Sequence, residues 1–424
     1  MKSMVTLLCA WLLTGTAALA QWQTLNVTNS PLHSNVVREV AIDSDGSQWI
    51  ATQRALQHLS GTTWTTFTAA NGLPSSNVVS LAVRNGIVWV GTDKGLSRFD
   101  GTTWTYFNDP TKLPVGRFGG NDLTITELVI SSTGTVWMAG SRGIARFDGI
   151  TWTKFNSSNS SLKEEAVTSL ALDETVNMLW IGTNCNSTNS GLYGLNTLNF
   201  SFRYHKLTGN NCVHGVAVNN LGAVVIGTCN TSMLLTLDNG WLSTPTPSSC
   251  VALGGMAPDP SNPARVWVAT ESFGTAGTAP RGLLVYDSNS NTVVQQFNMA
   301  NSALPTNLLS SVALQQTGGR LKVWVGTADQ GLAVYETVVT AQRAPETKLA
   351  LTMVPNPASA TVEVRADLPR YALTVYDTAG RLLHQEQVLG RQSVQLAVQS
   401  WPRGLYHVRL TAGEEVRTGH FSKE

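Results

Sequence analysis

A four-residue pattern that recurs along most of the chain constrains the fold more than any other feature. Seven copies are present, WIAT, WVGT, WMAG, WIGT, VIGT, WVAT and WVGT, and they open at Trp49, Trp89, Trp137, Trp180, Val225, Trp267 and Trp324. Successive copies are 40, 48, 43, 45, 42 and 57 residues apart. Repeats of this length are typical of β-propellers, in which each repeat forms one four-stranded blade, and exceed the period of about 20 to 30 residues of short solenoids.

The second copy shows how the sequence encodes the four strands of a blade. Its apolar stretches lie at residues 78–83, 87–91, 96–99 and 104–107, and turn residues separate them. The Asp-Gly pairs at Asp100 and Asp148 fall between the last two strands of their copies, which indicates tight hairpins rather than catalytic aspartates. We interpret the repeated Trp residues as packing between blades, with sugar stacking as the alternative.

The two ends of the repeat region predict how the ring closes. After Tyr335 the seventh copy lacks the aromatic outer strand found at TWTTF, residues 63–67, whereas QWQTL, residues 21–25, has a similar sequence. We expect this N-terminal strand to complete the last blade, because an open ring would leave exposed sheet edges. The sequence thus predicts an all-β protein with a seven-bladed β-propeller over residues 21–340.

The N-terminus predicts export. Lys2, an apolar run over residues 4–13 and small residues ending at Ala20 form the pattern of a cleavable signal peptide, residues 1–20. The run is shorter than the roughly 20 residues of a membrane-spanning helix, so a membrane anchor is the weaker alternative and no transmembrane segment is expected. Charged residues make up 13% of the chain and the net charge is +1, so neither nucleic acid nor an anionic membrane is an expected partner.

One repeat resembles a known family. The stretch LPSSNVVSLAV, WVGT and GLSRFDGTTW over residues 73–104 is similar to the two-component-regulator type of propeller repeat. The resemblance covers about residues 21–340 and is degenerate in copies four to six. In that family the repeats often form the sensing half of hybrid histidine kinases. No kinase region follows here, so we expect no signalling role from this chain alone, and the resemblance implies a fold rather than a ligand.

A second domain is predicted after the repeats. Residues 341–350 form a polar, Pro-containing linker, and alternating stretches at residues 361–364, 372–376, 394–398 and 406–410 predict a small C-terminal β-sandwich over residues 351–424. By pattern alone this domain could bind carbohydrate or act as a spacer.

Three motifs in this domain carry a more specific resemblance. PNP from Pro355, LTVYDTAGR from Leu373 and PRGLYHVRL from Pro402 resemble the type A sorting domain of type IX secretion, although HFSKE at the end departs from the basic, apolar end of that family. The resemblance implies the type IX machinery as a partner. It also implies passage through the periplasm to the outer cell surface or the medium.

The cysteines outside the predicted signal peptide are confined to copies four to six. Cys185 and Cys229 follow the tetrapeptides of copies four and five, whereas Cys212 and Cys250 precede the first strand of the following copy. Because these two loop types share one face of a propeller, we predict the disulfides Cys185–Cys212 and Cys229–Cys250, which suit an exported protein. Free thiols and a zinc site that includes His214 are the alternatives, and the spacing matches zinc poorly.

Basic residues recur just before the third strand of several copies. Arg54, Lys94, Arg142 and Arg281 occupy this position, whereas Ser190 and Gln330 replace them in two others. The equivalent loops line one face, so copies six, one, two and three would present a cationic crescent that binds an anionic ligand such as a uronic-acid glycan. Solvated loop charges without a common purpose are the alternative.

Signatures of catalysis are absent from the sequence. It contains no phosphate-binding loop, nucleophile elbow or HExxH motif, and no acidic pair recurs at positions expected to converge. We therefore predict no metal site, no cofactor and no identifiable catalytic residue. The expected function is a secreted or surface-displayed binding or adhesion module for a glycan or protein, with an extracellular polysaccharide lyase or glycoside hydrolase, or a structural surface component, as alternatives.

Overall fold

The computed structural model describes residues 21–115, 123–184, 188–207, 212–228, 234–237, 241–243, 250–271, 280–339, 351–366, 368, 370–378, 381–390, 393–412 and 415–424. The predicted signal peptide, residues 1–20, and the predicted linker, residues 341–350, lie outside the described residues. Within these ranges the chain forms β-strands joined by turns and contains no helix.

The strands of the repeat region follow the sequence copies. One strand precedes the first three blades: β1 (Gln21–Leu25), β2 (Val37–Ile42), β3 (Gln48–Thr52), β4 (Leu56–Ser60), β5 (Thr63–Phe67), β6 (Val78–Arg84), β7 (Ile87–Thr92), β8 (Gly95–Phe99), β9 (Trp104–Phe107), β10 (Ile125–Ile130), β11 (Val136–Gly140), β12 (Gly143–Phe147) and β13 (Trp152–Phe155).

Four further blades complete the repeat region. They comprise β14 (Val167–Asp173), β15 (Met178–Thr183), β16 (Leu192–Asn196), β17 (Phe202–His205), β18 (Val213–Val218), β19 (Val224–Thr228), β20 (Leu234–Leu237), β21 (Trp241–Ser243), β22 (Cys250–Pro258), β23 (Arg265–Glu271), β24 (Leu283–Asp287), β25 (Thr292–Phe297), β26 (Leu309–Thr317), β27 (Arg320–Thr327) and β28 (Leu332–Val338).

The blades form a closed ring. Each of the first six blades is an antiparallel sheet of four strands in chain order. The first strand of every blade contacts the first strands of both neighbouring blades, and β26 of the seventh blade contacts β2 of the first. These innermost strands are β2, β6, β10, β14, β18, β22 and β26. The predicted seven-bladed propeller is confirmed.

The N-terminal strand closes the last blade. The seventh sheet has the order β1-β28-β27-β26, and β1 pairs antiparallel with β28 from Gln21 opposite Glu336 to Leu25 opposite Leu332. The Trp22 ring lies 5.6 Å from the Phe297 ring of blade six in an edge-to-face arrangement. The first residues of the repeat region therefore join its last two blades, as the sequence predicts.

The repeated Trp residues lie between the blades. The Trp49 ring stacks on Phe67 of its own blade at 5.8 Å and meets Phe99 of the next blade edge-on at 6.0 Å. All seven residues that open the tetrapeptides are at most 7% exposed. Burial of these large rings between flat sheets confirms the packing interpretation, and it leaves little ring surface for sugar stacking.

The second residue of most innermost strands bridges to the next blade. A β-bulge displaces this residue from the ladder, as at Arg38 between Val37 and Glu39. The displaced Ser310 donates a hydrogen bond to the Val37 carbonyl of the next blade at 2.6 Å, and Thr126 donates to the Val167 carbonyl at 3.1 Å. The innermost strands are thus linked directly around the ring.

The C-terminal region forms two small sheets. Its strands are β29 (Thr352–Val354), β30 (Thr361–Arg365), β31 (Arg370–Asp377), β32 (Leu382–Leu389), β33 (Ser393–Ala397), β34 (Gly404–Ala412) and β35 (Glu415–Lys423). The orders are β29-β30-β33 and β32-β31-β34-β35, with one apolar core shared between the sheets. The atypical end of the chain belongs to this core, because Phe421 is fully buried and stacks on Tyr406 at 5.4 Å.

Removal of the closing aromatic ring should weaken the propeller. We expect Trp22→Ala to lower the free energy of unfolding by about 2 kcal/mol, because a partly buried Trp contributes less than the 3 to 5 kcal/mol of a fully buried one. Denaturant unfolding of the full chain measures this difference. The exposed neighbour on the same strand provides the matched control, Gln23→Ala, which should leave the midpoint unchanged. An unchanged midpoint for Trp22→Ala would show that β1 does not stabilise the ring.

Candidate functional site

A buried Thr shapes the turn between the second and third strands of most blades, here named the B–C turn. The Thr52 hydroxyl donates to the Ala55 carbonyl at 2.9 Å and accepts the Arg54 N–H at 3.3 Å. The last Thr of the tetrapeptide makes the same type of contact in other blades, at Thr92, Thr183, Thr270 and Thr327. Each of these five side chains is fully buried. The final residue of the tetrapeptide therefore holds the turn that presents the basic position.

The B–C turns share one face with the loops that lead from one blade into the next, here named the D–A loops. The N–H of Gln53 donates to the Val36 carbonyl at 3.1 Å, and the N–H of Ala328 donates to the Leu308 carbonyl at 3.2 Å. In blade three, where Gly140 replaces the Thr, the Arg142 N–H instead donates to the Pro114 carbonyl at 3.0 Å. The two loop types thus form a single hydrogen-bonded surface.

The four predicted basic residues lie on this surface in unequal electrostatic settings. Arg54, Lys94 and Arg142 are exposed and Arg281 is partly buried. The Arg142 guanidinium forms a 3.5 Å ion pair with Glu165 in the next D–A loop. The other three cations have no acidic partner among the described residues. Arg142 therefore contributes a partly compensated charge to the crescent.

The cysteine prediction falls largely on side chains outside the described residues. Cys185 and Cys229 lie outside the described ranges, and only the backbone of Cys250 is described, at the start of β22. Cys212, directly before β18, is buried and disulfide-bonded. A disulfide removes Cys212 as a thiolate ligand for zinc, whereas the pairing itself stays a prediction.

Two acids converge on the inner wall of the ring, which corrects the expectation that no acidic pair would do so. Glu39 lies on β2 and Glu127 on β10, the innermost strands of blades one and three. The Glu39 carboxylate reaches β6, between them, and accepts the Leu81 N–H at 2.7 Å. Glu127 is only 9% exposed, and its charge acts on Glu39.

The surroundings of this pair favour the neutral carboxyl form. Burial raises the pKa of Glu39 well above its usual range, and the nearby Glu127 charge adds to this effect against the Leu81 hydrogen bond. Burial also raises the pKa of Glu127 to about 8, opposed by a hydrogen bond from the Leu128 backbone. Both shifts favour the protonated carboxyl, and the pKa of about 8 favours protonated Glu127 at neutral pH.

A signal for this pair is present in the repeats. The innermost residue opposite the third tetrapeptide position is Ser in blades two, four and seven, where that third position is Gly. A Cβ on Gly91 would overlap the Ser80 hydroxyl. In blades one and three that position is Ala, at Ala51 and Ala139, and the residue opposite is Glu39 or Glu127, whereas Ala269 of blade six faces a break in the strand ladder. The WIAT and WMAG copies thus mark the two acidic blades.

Comparison with protein families identifies two parts of the chain. Residues 352–423 match the secretion system C-terminal sorting domain, and residues 72–94 match the two component regulator propeller. The chain therefore carries propeller repeats of the two-component-regulator type and a type IX sorting domain, as the motifs indicated. The sorting domain makes it a client of the type IX secretion machinery. The protein is accordingly secreted or located at the cell surface.

Solved structures share the propeller fold at low sequence identity. PorZ, a surface component of the type IX secretion system of Porphyromonas gingivalis, is 17% identical with a TM-score of 0.57, over 94% of this chain and 61% of PorZ. The extracellular domain of BT3049 from B. thetaiotaomicron, described as part of a hybrid two component system, is 16% identical with a TM-score of 0.58, over 94% and 54%. Virginiamycin B lyase from Staphylococcus aureus is 14% identical with a TM-score of 0.57, over 75% and 100%.

These matches establish the fold alone. The chain spans 61% and 54% of the length of the first two structures. No curated protein sequence matches the chain. In the part of the chain that the structure describes, no helix is long and apolar enough to cross a membrane.

The acid pair should make stability depend on pH. Glu127 binds its proton more tightly in the folded state than in the unfolded chain, so its contribution is lost as the pH rises from about 4.5 through about 8. The limiting slope is about 1.4 kcal/mol per pH unit for one proton. We expect Glu127→Gln to flatten the fall in the unfolding midpoint between pH 5 and pH 8. The exposed-acid variant Asp329→Asn should keep the wild-type slope, and an equally steep profile in Glu127→Gln would contradict the assignment.

Disulfide mapping tests the pairing of the cysteines. Digestion of the oxidised full chain without reductant should release peptides that link Cys185 to Cys212 and Cys229 to Cys250. Loss of the first bridge in Cys212→Ala should lower the free energy of unfolding by about 3 kcal/mol, because the bridge closes a loop of nearly thirty residues. With reductant present, the variant and the parent should unfold much closer together. A peptide that links Cys212 to Cys229 would show that the predicted pairing is wrong.

Proposed function

We propose that this type IX-exported propeller binds acidic glycans through the B–C turns that carry Arg54, Lys94, Arg142 and Arg281. The observation that supports the proposal is the position of these cations in equivalent turns on one hydrogen-bonded face. Loop surfaces held by a rigid scaffold are common binding sites in proteins of this kind. The proposal makes the protein a binding or adhesion module at the cell surface.

The distribution of charge favours an extended anionic ligand over a compact one. The cations belong to blades six, one, two and three, so a chain that contacts several of them must follow part of the ring. In blade four the equivalent residue, Ser190, is uncharged and fully buried. A polymer with a carboxylate on successive sugar residues has the repeated charge that such a crescent would recognise.

Glycan cleavage is the second candidate function, and the Glu39–Glu127 pair is the observation that favours it. Glycoside hydrolases commonly use two carboxyl groups, one of which must be protonated to act as the general acid. The raised pKa of Glu127, about 8, suits the general acid at neutral pH, whereas Glu39, whose pKa is also raised, would act as the base or nucleophile only in its ionised form. If the pair is catalytic, Glu127→Gln should abolish cleavage of a bound glycan while leaving its binding intact.

Binding to polygalacturonate tests the leading candidate. We expect saturable binding of the oxidised full chain, weakened by added salt because exposed charges are screened. The triple variant Arg54→Ala/Lys94→Ala/Arg281→Ala should bind at least tenfold more weakly. Each ion pair contributes about 0.2 to 1 kcal/mol, and three pairs near the middle of that range together account for more than a tenfold change in affinity. Arg142→Ala alone should have a smaller effect, because Glu165 already pairs with this guanidinium.

Matched controls separate a specific site from general charge. A second triple variant, Arg203→Ala/Arg403→Ala/Arg409→Ala, removes the same number of exposed cations outside the B–C turns, none of which has an ion pair among the described residues, and should bind like the parent. Fully methyl-esterified pectin lacks the carboxylates and should not bind. Equal losses in the two triple variants would refute the crescent, and shorter products after incubation with the glycan would move the protein to the enzyme class.

A further inference from the structure

A cavity of about 420 Å³ lies between blades two and three, away from the B–C turns. Asn85, from the turn between β6 and β7, and Gly134, from the turn between β10 and β11, contribute to its rim. These turns lie at the opposite ends of the strands from the B–C turns. The cavity is therefore on the other face of the propeller from the basic crescent, and its size falls within the range of small-molecule sites.

The walls of this cavity combine aromatic and cationic groups. The rings of Phe107 and Phe147 line it and are both partly exposed, with their centroids 5.7 Å apart. Arg98 lies on the same wall, opposite Trp89 on one neighbouring strand and Thr105 on the other. A ligand in the cavity would thus meet an apolar surface beside a guanidinium.

The cavity is open because small residues border it. Gly149 lies at a positive φ of 98° in the hairpin between β12 and β13, and a Cβ at this position would meet no heavy atom within 4 Å. The corresponding space one blade further on is occupied, because Phe200 packs 5.3 Å from Phe155. The groove between blades two and three is thus more open than the one that follows it.

Arg98 has different contacts from the residues at the equivalent position in the preceding blade, blade one, and in the following blade, blade three. In blade one, His58 stacks on Trp49 with the rings 4.3 Å apart. In blade three, Arg146 pairs with Asp148 at 2.9 Å. For Arg98 the structure shows no acidic partner among the described residues.

The residue of blade two that is equivalent to Asp148 forms hydrogen bonds with other residues and no ion pair with Arg98. Asp100 corresponds to Asp148, but its carboxylate accepts hydrogen bonds from the backbone and side chain of Thr102 and of Thr103, at 2.8 to 3.0 Å. Arg98 is thus a partly buried cation without a counterion. A guanidinium in this setting favours an anion with two oxygen atoms, because both groups are planar and can pair through two hydrogen bonds.

A second cation reinforces the positive character of the groove. Arg84 lines the cavity, donates to the Ile130 carbonyl at 3.3 Å and lies 3.6 Å from Glu174. Glu174 also accepts two hydrogen bonds from Ser132, at 2.6 and 2.7 Å. The described lining residues thus include two guanidinium groups and no carboxylate, and Glu174 outside the lining pairs with only one of the two.

We propose that this groove is a second binding site, which takes a small ligand with a carboxylate attached to a six-membered ring. The carboxylate pairs with Arg98, and one face of the ring packs against Phe107 and Phe147. A hexuronic acid and an aromatic carboxylic acid share this chemistry. The site does not rest on the proposed glycan-binding function, because it shares no residue with the crescent.

Ligand titration of the full chain tests the site. Glucuronate, galacturonate and benzoate are titrated separately by calorimetry or ligand-observed NMR, with glucose as the uncharged control. At least one of the three acids should bind saturably, and glucose should not. Arg98→Met should lower the affinity at least tenfold, because Met cannot make the charge-assisted hydrogen bonds that the guanidinium makes to the carboxylate. Binding of the sugar acids or of benzoate would identify which source of the carboxylate the groove prefers.

Two further variants keep the result independent of folding. Arg146→Met removes the equivalent Arg of blade three and should leave the affinity unchanged. Thr105→Tyr places a bulky side chain at an exposed strand position beside Arg98 and should block the groove while Arg98 is retained. The thermal midpoint of each variant reports whether it is folded. Absence of saturable binding by the parent, or parent-like affinity in folded Arg98→Met or Thr105→Tyr, would overturn the proposal.

The crescent and the groove give separable outcomes. The triple variant of Arg54, Lys94 and Arg281 should bind the small acids like the parent if the groove is their site. Arg98→Met should likewise retain binding to polygalacturonate through the crescent. If polygalacturonate does not bind, the proposed small-acid site in the groove is unaffected. If the small acids do not bind, the proposed function of the crescent is unaffected.

Discussion

The packing of each blade against the next is the interaction on which the rest of the structure depends. A single four-stranded blade cannot bury rings as large as Trp49 or Trp89 by itself, because a flat sheet offers no second layer. The neighbouring blade covers these rings with aromatic residues at the end of its third strand, as Phe99 does for Trp49 and Phe147 does for Trp89. An open arrangement would leave the two terminal blades without this partner. The pairing of β1 with β28 is therefore part of the hydrophobic core of the ring.

Repetition explains why so much of the fold could be predicted from the sequence. The strand at Trp104 was predicted from an apolar stretch between turn residues, and its bounds agree with the structure because the blade is built from local hairpins. QWQTL was assigned to the last blade because its resemblance to TWTTF identifies the missing strand. In the C-terminal domain the alternating pattern predicts β30, β31, β33 and β34 but not β29, β32 or β35, and in β35 the pattern is interrupted by Gly419 and His420. Only the structure shows that Phe421 completes that core.

The candidate sites were less predictable because they depend on contacts between blades. Position in the repeat placed Arg54 and Arg142 in equivalent turns, but it could not reveal that Glu165 of the following loop compensates one of them. Glu39 and Glu127 lie 88 residues apart, and the packing of blades one and three against blade two brings their charges together. In blades one and three, Ala instead of Gly at the third tetrapeptide position accompanies the acid on the opposite strand. This relation is recognised only when the strand register is known, because the register is what pairs Ala51 with Glu39 and Ala139 with Glu127.

The departures from the repeat carry more functional information than the repeat itself. Positions that hold the B–C turns, such as Thr52 and Thr92, perform the same structural task in most copies, so they do not distinguish those blades from one another. Arg98 has neither the stacking of His58 nor the acidic partner of Arg146, although all three occupy the same place in their blades. A charged side chain that lacks the compensation found in its repeats is costly to keep partly buried unless a ligand supplies it. Comparison among the blades of a repeat protein isolates such a position, because the other blades show what the same position requires for folding alone.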